Sequence, residues 1–276
     1  MQLAVNRSAR LTYGSPYDHP LKRGLITSIE VAGGRLWLER GYSQVLAQTR
    51  RGASFWAAAM NALGLTLDID EARLAAIPRE GPLVFIANHP FGVVDGLVMC
   101  HLADQTRGDF RILINSALCR EEQISRYMLP IDFAETREAA LINIESKRQA
   151  FKKMHEGVPI IIFPAGGIST TPSYFAQTAT DLDWKLLMAK LVQSSKATVV
   201  PVFSPGQNSR LFQVVSQFSL TLRLSLVIRE VNDRIGKPLR VVVGNPISYD
   251  KLAHIEGRQA LTDHLRRCTY ALANEA

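Results

Sequence analysis

The sequence predicts an α/β protein with a largely parallel, mixed sheet flanked by helices and an N-terminal helical segment. After residue 65, short apolar runs alternate with amphipathic stretches. The apolar runs are nearly continuous, as in strands buried on both faces of a parallel sheet. Helical patterns separate these runs, which is the arrangement of βαβ units. The chain has 276 residues, of which 47% are apolar and 21% charged, so it is long enough to bury the core of such a sheet.

Residues 1–24 are polar, and we expect them to be ordered only by docking. Residues 25–64 predict two helical segments broken near Gly52. Trp37, Phe55 and Trp56 stand there among arginines, which is typical of helices at a membrane interface. The alternative is a helix pair packed on the main domain, because periodic apolar residues usually face a core. The expected division is therefore an N-terminal segment, 1–64, and a main domain, 65–276.

The main domain predicts five strands and four helices, with no internal repeat. Strands are expected at LVFIA (83–87), FRILIN (110–115), VPIIIFP (158–164), ATVVPVFS (197–204) and LRVVVGNPI (239–247). Helices are expected at 96–105, 138–155, 184–195 and 257–273.

Several classes of protein are disfavoured by what the sequence lacks. No window approaches the roughly 18 consecutive apolar residues of a spanning helix, and the first residues have no apolar core of signal-peptide type. Cys100, Cys119 and Cys268 have neither metal-type spacing nor a disulfide pattern, which favours a reducing compartment, the cytoplasm. There is no G-x4-G-K-[ST] loop and no G-x-S-x-G elbow. We expect no bound metal or cofactor.

The net charge of +7, with a pI near 9.5, favours an acidic partner. Simple solubility charge is the alternative. The basic residues are dispersed and no recognition helix or zinc finger is present, so nucleic acid is a weaker candidate than an anionic lipid surface or an acidic carrier protein.

Polar stretches follow three of the predicted strands. They are ANHPFGVVDG (87–96), FPAGGISTT (163–171) and VPVFSPGQNSR (200–210). Any one of them alone would be ordinary turn chemistry. Because ligands bind at the carboxyl ends of strands in α/β sheets, three such ends together predict a shared site.

His89 is the natural centre of that site, with Asp95 as a partner that can orient an imidazole. Residues six apart lie on different faces of a helix, so a His-Asp pair requires a turn between them. Pro90 disfavours a helical His89, and Gly92 gives the backbone freedom to turn. The helix is then expected to begin near Val93, with its free N–H groups facing the same mouth.

With these residues in hand, the chain resembles the glycerolipid acyltransferase superfamily, the PlsC-like enzymes that acylate lysolipids. The superfamily blocks N-H-x4-D, F-P-E-G-T-R-S and V-P-V correspond here to NHPFGVVD, FPAGGIST and VVPVFSPGQNS. A bacterial branch with N-H-P-x-G-x-x-D-G, F-P-A-G and G-x-N-S is more similar; it is linked to ornithine-lipid synthesis and to proteins called hemolysin-like. DLDW, LRLSLVIREV and VVVGNPIS also resemble that branch. The resemblance covers roughly residues 66–250.

The resemblance implies O-acyl transfer from acyl-carrier protein or acyl-CoA to a membrane lysolipid, with a lyso-ornithine lipid as one candidate. His89 would be the general base on the acceptor hydroxyl, and Asp95 would hold it. Backbone N–H groups around Gly166 and Gly167 would stabilise the oxyanion. The full set of substrate-binding candidates is Gly92, Gly166, Gly167, Ser169, Thr170, Asn208, Ser209 and Arg210.

The chain departs from the superfamily at positions that handle the glycerol phosphate. Ala165 stands where the acidic residue of F-P-E-G lies, and Ile168 stands where the arginine lies. Five residues, rather than four, separate His89 from Asp95, as in the closer branch. Lysophosphatidate is therefore a doubtful acceptor. Asn208, Ser209 and Arg210 are candidate replacements, the alternative being a turn followed by a helix cap.

Two other functions stay open at this point. The same His-Asp pair can activate water, which would make the protein a thioester or ester hydrolase. A non-catalytic lipid-binding protein on the membrane surface is the other, and it requires His89 to be dispensable. We expect a cytoplasmic protein that is peripheral on the inner face of the cell membrane.

Overall fold

The computed structural model of the chain describes residues 19–119 and 122–276, and it contains a six-stranded sheet covered by helices. The helices are α1 (Pro20–Ala32), α2 (Arg35–Arg50), α3 (Phe55–Ala62), α4 (Glu71–Ala75), α5 (Val93–Arg107), α6 (Arg137–His155), α7 (Leu187–Ser195), α8 (Arg210–Ser216), α9 (Leu220–Asn232) and α10 (Arg258–Ala271). The strands are β1 (Thr66–Asp68), β2 (Leu83–Ala87), β3 (Arg111–Asn115), β4 (Met128–Ile131), β5 (Ile160–Ile162), β6 (Thr198–Phe203), β7 (Pro238–Arg240) and β8 (Val242–Val243).

The large sheet has the strand order β4-β3-β5-β2-β6-β8. All neighbours pair in parallel except β8, which runs antiparallel to β6. Every side chain of β2 and β5 is buried, as their continuous apolar sequences require. The predicted fold class, a largely parallel mixed sheet flanked by helices, is therefore confirmed.

The last predicted strand, 239–247, is in fact two strands in two sheets. β7 pairs with β1 in a small two-stranded sheet, whereas β8 joins the edge of the large one. Val241 lies between them and donates its N–H to the carbonyl of Asp68 at 3.0 Å. Hydrophobic pattern does not reveal this exchange, because Val241, Val242 and Val243 form one continuous apolar run across the point where the chain changes sheets.

The chain packs as two compact units, which we call the helical unit and the sheet unit. The described part of the helical unit comprises residues 19–66 and 208–237, and the sheet unit comprises 67–207 and 238–276 where described. The return of 208–237 to the N-terminal helices was not anticipated from the sequence. The division into domains 1–64 and 65–276 stays a prediction.

Residues 25–64 form three helices rather than the two expected. The additional break is at Gly33 and Gly34, where Gly34 has a φ of +95° that L-residues rarely adopt. A Cβ at Gly33 would lie 3.2 Å from the backbone N of Arg229 in α9, so this position also needs a small residue for helix packing.

The aromatic residues of these helices differ in exposure. Trp37 is exposed, but Trp56 is buried and its ring packs edge-on against Phe55, with 5.2 Å between centroids. Trp56 therefore belongs to the core of the helical unit and cannot present itself to a membrane. Among the described helices, none combines the length and apolarity that crossing a bilayer requires.

Candidate active site

The site begins where β2 and β6 end side by side. Asn88, the first residue after β2, accepts a hydrogen bond from the N–H of Ser204 at 2.8 Å and donates one to the carbonyl of Ser204 at 2.9 Å. Both residues are buried. The amide side chain thus joins the carboxyl ends of two neighbouring parallel strands and fixes the position of the residue that follows it.

That residue is His89, and its Nδ1 lies 3.1 Å from Oδ2 of Asp95. Asp95 is the third residue of α5, and its Oδ2 also accepts a hydrogen bond from the N–H of Phe91 at 2.7 Å. The carboxylate therefore closes the turn between strand and helix while it holds the imidazole. The expected His89–Asp95 hydrogen bond and the expected helix start at Val93 are both confirmed.

Gly92 makes this short turn possible. Its φ of +65° and ψ of −116° suit glycine, and a Cβ there would lie only 2.7 Å from Cδ1 of Ile168. Gly92 is the N-cap of α5, so no side chain caps this helix. The first N–H groups of α5 lack intrahelical acceptors and form a partial positive charge at the site.

The imidazole of His89 is oriented on two sides. Its ring stacks on Phe163, the residue after β5, with 4.0 Å between centroids and 26° between planes. With the Nδ1–H directed at Asp95, Nε2 carries the lone pair. Nε2 accepts no hydrogen bond from the residues that the structure describes, and the side chain is 16% exposed. The ring is thus held firmly with one basic nitrogen accessible.

Burial is the dominant influence on Asp95. Removing the carboxylate from water raises its pKa, and the nearby charge of Asp181 acts in the same direction. The hydrogen bond and charge of His89 and the N–H of Phe91 oppose this rise without cancelling it. The ionised carboxylate is therefore kept at a free-energy cost to the folded protein, as is common where a group serves a reaction.

Asp181 was missed as a site residue in the sequence. Its Oδ1 accepts hydrogen bonds from the backbone N–H of His89 at 3.1 Å and the hydroxyl of Ser169 at 2.5 Å. Its Oδ2 accepts one from the indole of Trp184 at 2.9 Å. The only signal was DLDW, which resembles the bacterial branch; that a carboxylate there is buried cannot be deduced from pattern.

The glycines and hydroxyls after β5 take different places around His89. Ser169 is buried, donates its N–H to the carbonyl of His89 at 2.8 Å and directs its hydroxyl at Asp181. Thr170 pairs with Thr180 in an antiparallel bridge. Both therefore support the turn that carries His89.

Gly166 and Gly167 were expected to offer their N–H groups to an oxyanion. The Gly166 N–H donates to the carbonyl of Phe163 at 2.9 Å, and its role toward an oxyanion stays a prediction. The Gly167 N–H has no acceptor within 19–119 and 122–276, and it too remains a candidate.

The positions that lack the superfamily's charged residues are apolar and enclosed. Ala165 and Ile168 are both buried, and Ile168 packs against Gly92. Neither position can contact an anionic head group by charge. The replacement of the superfamily's acidic residue and arginine by Ala165 and Ile168 therefore removes both charges from this part of the structure.

Asn208, Ser209 and Arg210 belong to the helical unit. Ser209 is the N-cap of α8 and accepts a hydrogen bond from the N–H of Phe212 at 3.2 Å. Its hydroxyl and N–H both donate to the carboxylate of Glu230, at 2.5 and 2.7 Å. The helix-cap alternative is thus confirmed for Ser209. Asn208 is buried, and its side-chain amide has no hydrogen-bond partner among the described residues.

Within the described ranges, no group of three or more His, Cys, Asp or Glu side chains is arranged to hold a metal ion. The contacts of His89 with Asp95 and Asp181, both buried carboxylates, suit the imidazole to proton transfer.

The known proteins that this chain resembles are acyltransferases. The model of a family described as acyltransferase matches residues 50–276. The lyso-glycine lipid O-acyltransferase of Phocaeicola vulgatus is 25% identical over 215 residues, covering 74% of this chain and 72% of that protein. The protein of the same name from Bacteroides thetaiotaomicron is 24% identical over 241 residues, covering 82% of each chain.

Among solved structures, the 1-acyl-sn-glycerophosphate (LPA) acyltransferase PlsC from Thermotoga maritima aligns with a TM-score of 0.49 and 14% identity, covering 92% of this chain and 80% of that one. The family match extends over most of the chain and includes every motif discussed above. It confirms the resemblance drawn from those motifs. The chain belongs to the acyltransferase family, and the protein is an acyltransferase.

Proposed function

We propose that this acyltransferase moves a fatty acyl group from an acyl thioester to the hydroxyl of a membrane lysolipid whose head group is an amino acid. The observation that carries the proposal is the His89–Asp95 hydrogen bond, which leaves Nε2 accessible at the carboxyl edge of the sheet. The two curated relatives, both named lyso-glycine lipid O-acyltransferases, support the lysolipid class.

In the proposed reaction, Nε2 of His89 takes the proton from the acceptor hydroxyl while its oxygen attacks the thioester carbonyl. Asp95 accepts a hydrogen bond from the Nδ1–H of His89, and its negative charge stabilises the imidazolium that forms. The tetrahedral intermediate then expels the thiolate, which recovers the proton from Nε2. The ester forms, the thioester C–S bond breaks, and no enzyme nucleophile is needed.

The negative oxygen of the intermediate needs hydrogen-bond donors that are already in place. The first amides of α5 and the N–H of Gly167 are the donors we assign to it. The Gly166 amide is left out of this set because it is already bonded to Phe163.

The proposed acceptor has no terminal phosphate. Burying a phosphate monoester without a cation is costly, and the buried Ala165 and Ile168 supply none. An amino-acid head group, such as glycine or the ornithine considered above, carries a single carboxylate that backbone N–H groups can hold. The acyl donor is proposed as acyl-carrier protein or acyl-CoA, both anionic and both suited to a chain of charge +7. The proposed location is the inner face of the cell membrane.

A panel of lysolipids tests this proposal. Purified protein is given one acyl thioester with lyso-glycine lipid, lyso-ornithine lipid, lysophosphatidate or no acceptor, and the lipid products are identified by mass spectrometry. We expect diacylated product from the amino-acid lysolipids and little from lysophosphatidate. Arg210→Ala is measured alongside, because Arg210 is the cation we expect to bind the phosphate if lysophosphatidate reacts.

Two results would overturn the assignment. A clear preference for lysophosphatidate that disappears in Arg210→Ala would mean that a different cation binds a phosphate head group. Release of free fatty acid at the same rate with and without acceptor would make the protein a hydrolase, which uses the same His-Asp pair on water.

A further inference from the structure

The sheet unit exposes a set of large apolar side chains that its own core does not use. Phe175 is 88% exposed, Ile144 62% and Phe133 60%. Monomeric proteins rarely present such residues together without an interaction partner. The residues that we call the apolar rim are Phe133, Leu141, Ile144, Phe175, Leu182 and Leu186.

The rim residues lie on segments that leave the carboxyl edge of the sheet. In the described part of the sheet unit, every exposed large apolar side chain lies on a segment that follows β2, β4 or β5. These strands are parallel, so their carboxyl ends share the edge that carries His89. The ring of Phe133 lies over the turn after β5, since a Cβ at Gly166 would be 3.8 Å from its Cε1.

The loop that carries Phe175 projects from the site on a fixed base. Thr170 and Thr180 exchange two backbone hydrogen bonds of 3.1 Å, which close the loop 171–179. The side chain of Gln207 forms two hydrogen bonds with the same loop. It accepts one from the N–H of Ala179 at 2.7 Å and donates one to the carbonyl of Gln177 at 3.0 Å. The two ends of the loop are therefore fixed close to His89, whereas Phe175, near the middle of the loop, is exposed to water.

A cationic cavity adjoins the rim at Leu186. It has a volume of about 230 Å³, and its charged lining residues are Lys147, Lys190 and Arg258. None of the three forms an ion pair with a carboxylate of the described chain. Nζ of Lys190 lies 5.3 Å from the ring centroid of Phe151, which forms part of the apolar floor. Cations beside apolar groups complement the interface of an anionic membrane.

We propose that the apolar rim docks the sheet unit on an anionic lipid bilayer, with Phe175 and Leu182 entering the interface and the cationic cavity receiving lipid head groups. The inference rests on the proposed function, because an enzyme that acylates a membrane lysolipid must meet it at the bilayer surface. Docking at this edge would bring the mouth that contains His89 to the plane where such a lipid lies. It is a second membrane contact, independent of the N-terminal helices.

The test is vesicle binding by Phe175→Glu/Leu182→Glu. Both side chains are exposed, so the core is unaffected, and circular dichroism checks the fold. We expect the partition onto phosphatidylcholine–phosphatidylglycerol vesicles to fall about tenfold or more, because two large apolar contacts are lost and two anions are added. Lys196→Glu, at an exposed position just before β6, changes the net charge by the same two units; it is the control for charge and should bind as the parent does. If the double variant does not fold, Phe175→Ser replaces it.

Lys147→Gln/Lys190→Gln tests the cationic part and should reduce the preference for phosphatidylglycerol over pure phosphatidylcholine vesicles. Turnover gives a separate readout: the Phe175→Glu/Leu182→Glu protein should lose activity on acceptor in vesicles and keep it on a short-chain lysolipid dispersed as monomers. Cosedimentation with vesicles needs no turnover, so failure of docking and failure of the acyl-transfer proposal are distinguishable.

Unchanged vesicle binding by the double variant would overturn the proposal. So would an equal loss in Lys196→Glu, which would mean that net charge alone is responsible. If sedimentation velocity finds a parent dimer that the double variant dissociates, with vesicle binding intact, then the rim is covered by a second copy of the chain instead.

Discussion

At the scale of single residues, the proposed chemistry rests on the accessible nitrogen of His89. We expect His89→Ala to keep the fold and to lose about 10²–10⁴-fold in acyl transfer rate, the usual contribution of a positioned general base. His254→Ala, an exposed histidine on the sheet unit, is the matched control and should transfer normally. Near-parental transfer by the His89 variant would exclude the mechanism.

Asp95→Asn is expected to separate activity from stability. The amide cannot stabilise an imidazolium as a carboxylate does, so the transfer rate should fall, though less than in His89→Ala. The buried carboxylate has a raised pKa, so the folded state binds its proton more tightly than the unfolded state. Stability from this group is present below its unfolded pKa and is lost as the pH rises through the folded value; asparagine has no such loss.

Chemical denaturation of both proteins near pH 4 and pH 7 measures this difference. From pH 4 to pH 7 the stability of Asp95→Asn should therefore rise relative to that of the parent, which means that its relative free energy of unfolding becomes larger. A change in the opposite direction would mean that the ion pair with His89 outweighs the cost of burial.

The sequence predicted the two residues to which we assign the reaction, and it missed the residues that position them. His89 and Asp95 were found because a motif places them on either side of a turn. Asp181, Phe163 and Asn88 were missed because their roles depend on contacts across the sheet. The N–H of His89 and the carboxylate of Asp181 are separated by 92 residues, and no local pattern indicates such a pair.

At the scale of elements, the junction of β2 and α5 depends on the conformation of Gly92. We expect Gly92→Ala to destabilise the protein by about 1–3 kcal/mol, from backbone strain and the contact with Ile168, and to reduce activity by displacing Asp95. Gly96→Ala is the matched control one turn along the same helix. A Cβ there meets nothing within 4 Å, so alanine should add about 0.5–1 kcal/mol.

Thermal unfolding of the two alanine variants, with transfer rates, makes the comparison. If both variants lose stability, helix packing rather than the turn conformation is the cause. If Gly92→Ala keeps parental stability, the turn is not strained by a side chain and the account of this junction is wrong.

Element types were predictable where the apolar pattern was long. β2, β6, α5 and α6 lie within a few residues of their expected bounds. β4 was not predicted, because four residues that include Pro130 give little signal. The extra break in the N-terminal helices occurs at Gly33 and Gly34. It was not predicted because glycine is also tolerated inside helices, so its presence alone does not indicate a break.

At the scale of the whole molecule, charge should govern membrane association. A net charge of +7 predicts that the parent protein binds vesicles containing anionic lipid and releases them as salt rises from about 0.05 to 0.5 M, because surface attraction is screened. Flotation with anionic and neutral vesicles over this range measures it. Equal binding to neutral vesicles at every salt concentration would leave apolar insertion as the sole attraction.

The assembly of the units could not be predicted from sequence. Residues 208–237 pack with helices that precede residue 67, so the helical unit is built from two distant parts of the chain. Hydrophobic periodicity identifies a face that needs covering, but it does not say which face covers it.

The link between Asn88 and Ser204 spans 116 residues of chain. During synthesis, Asn88 leaves the ribosome long before its partner exists, and β6 must be complete before His89 acquires its final position. On the proposed mechanism, the site therefore becomes competent for catalysis late in folding. On the proposed mechanism, a nascent or truncated chain that ends before residue 204 has the histidine without the hydrogen bonds that position it, and we expect such a chain not to react with acyl thioesters.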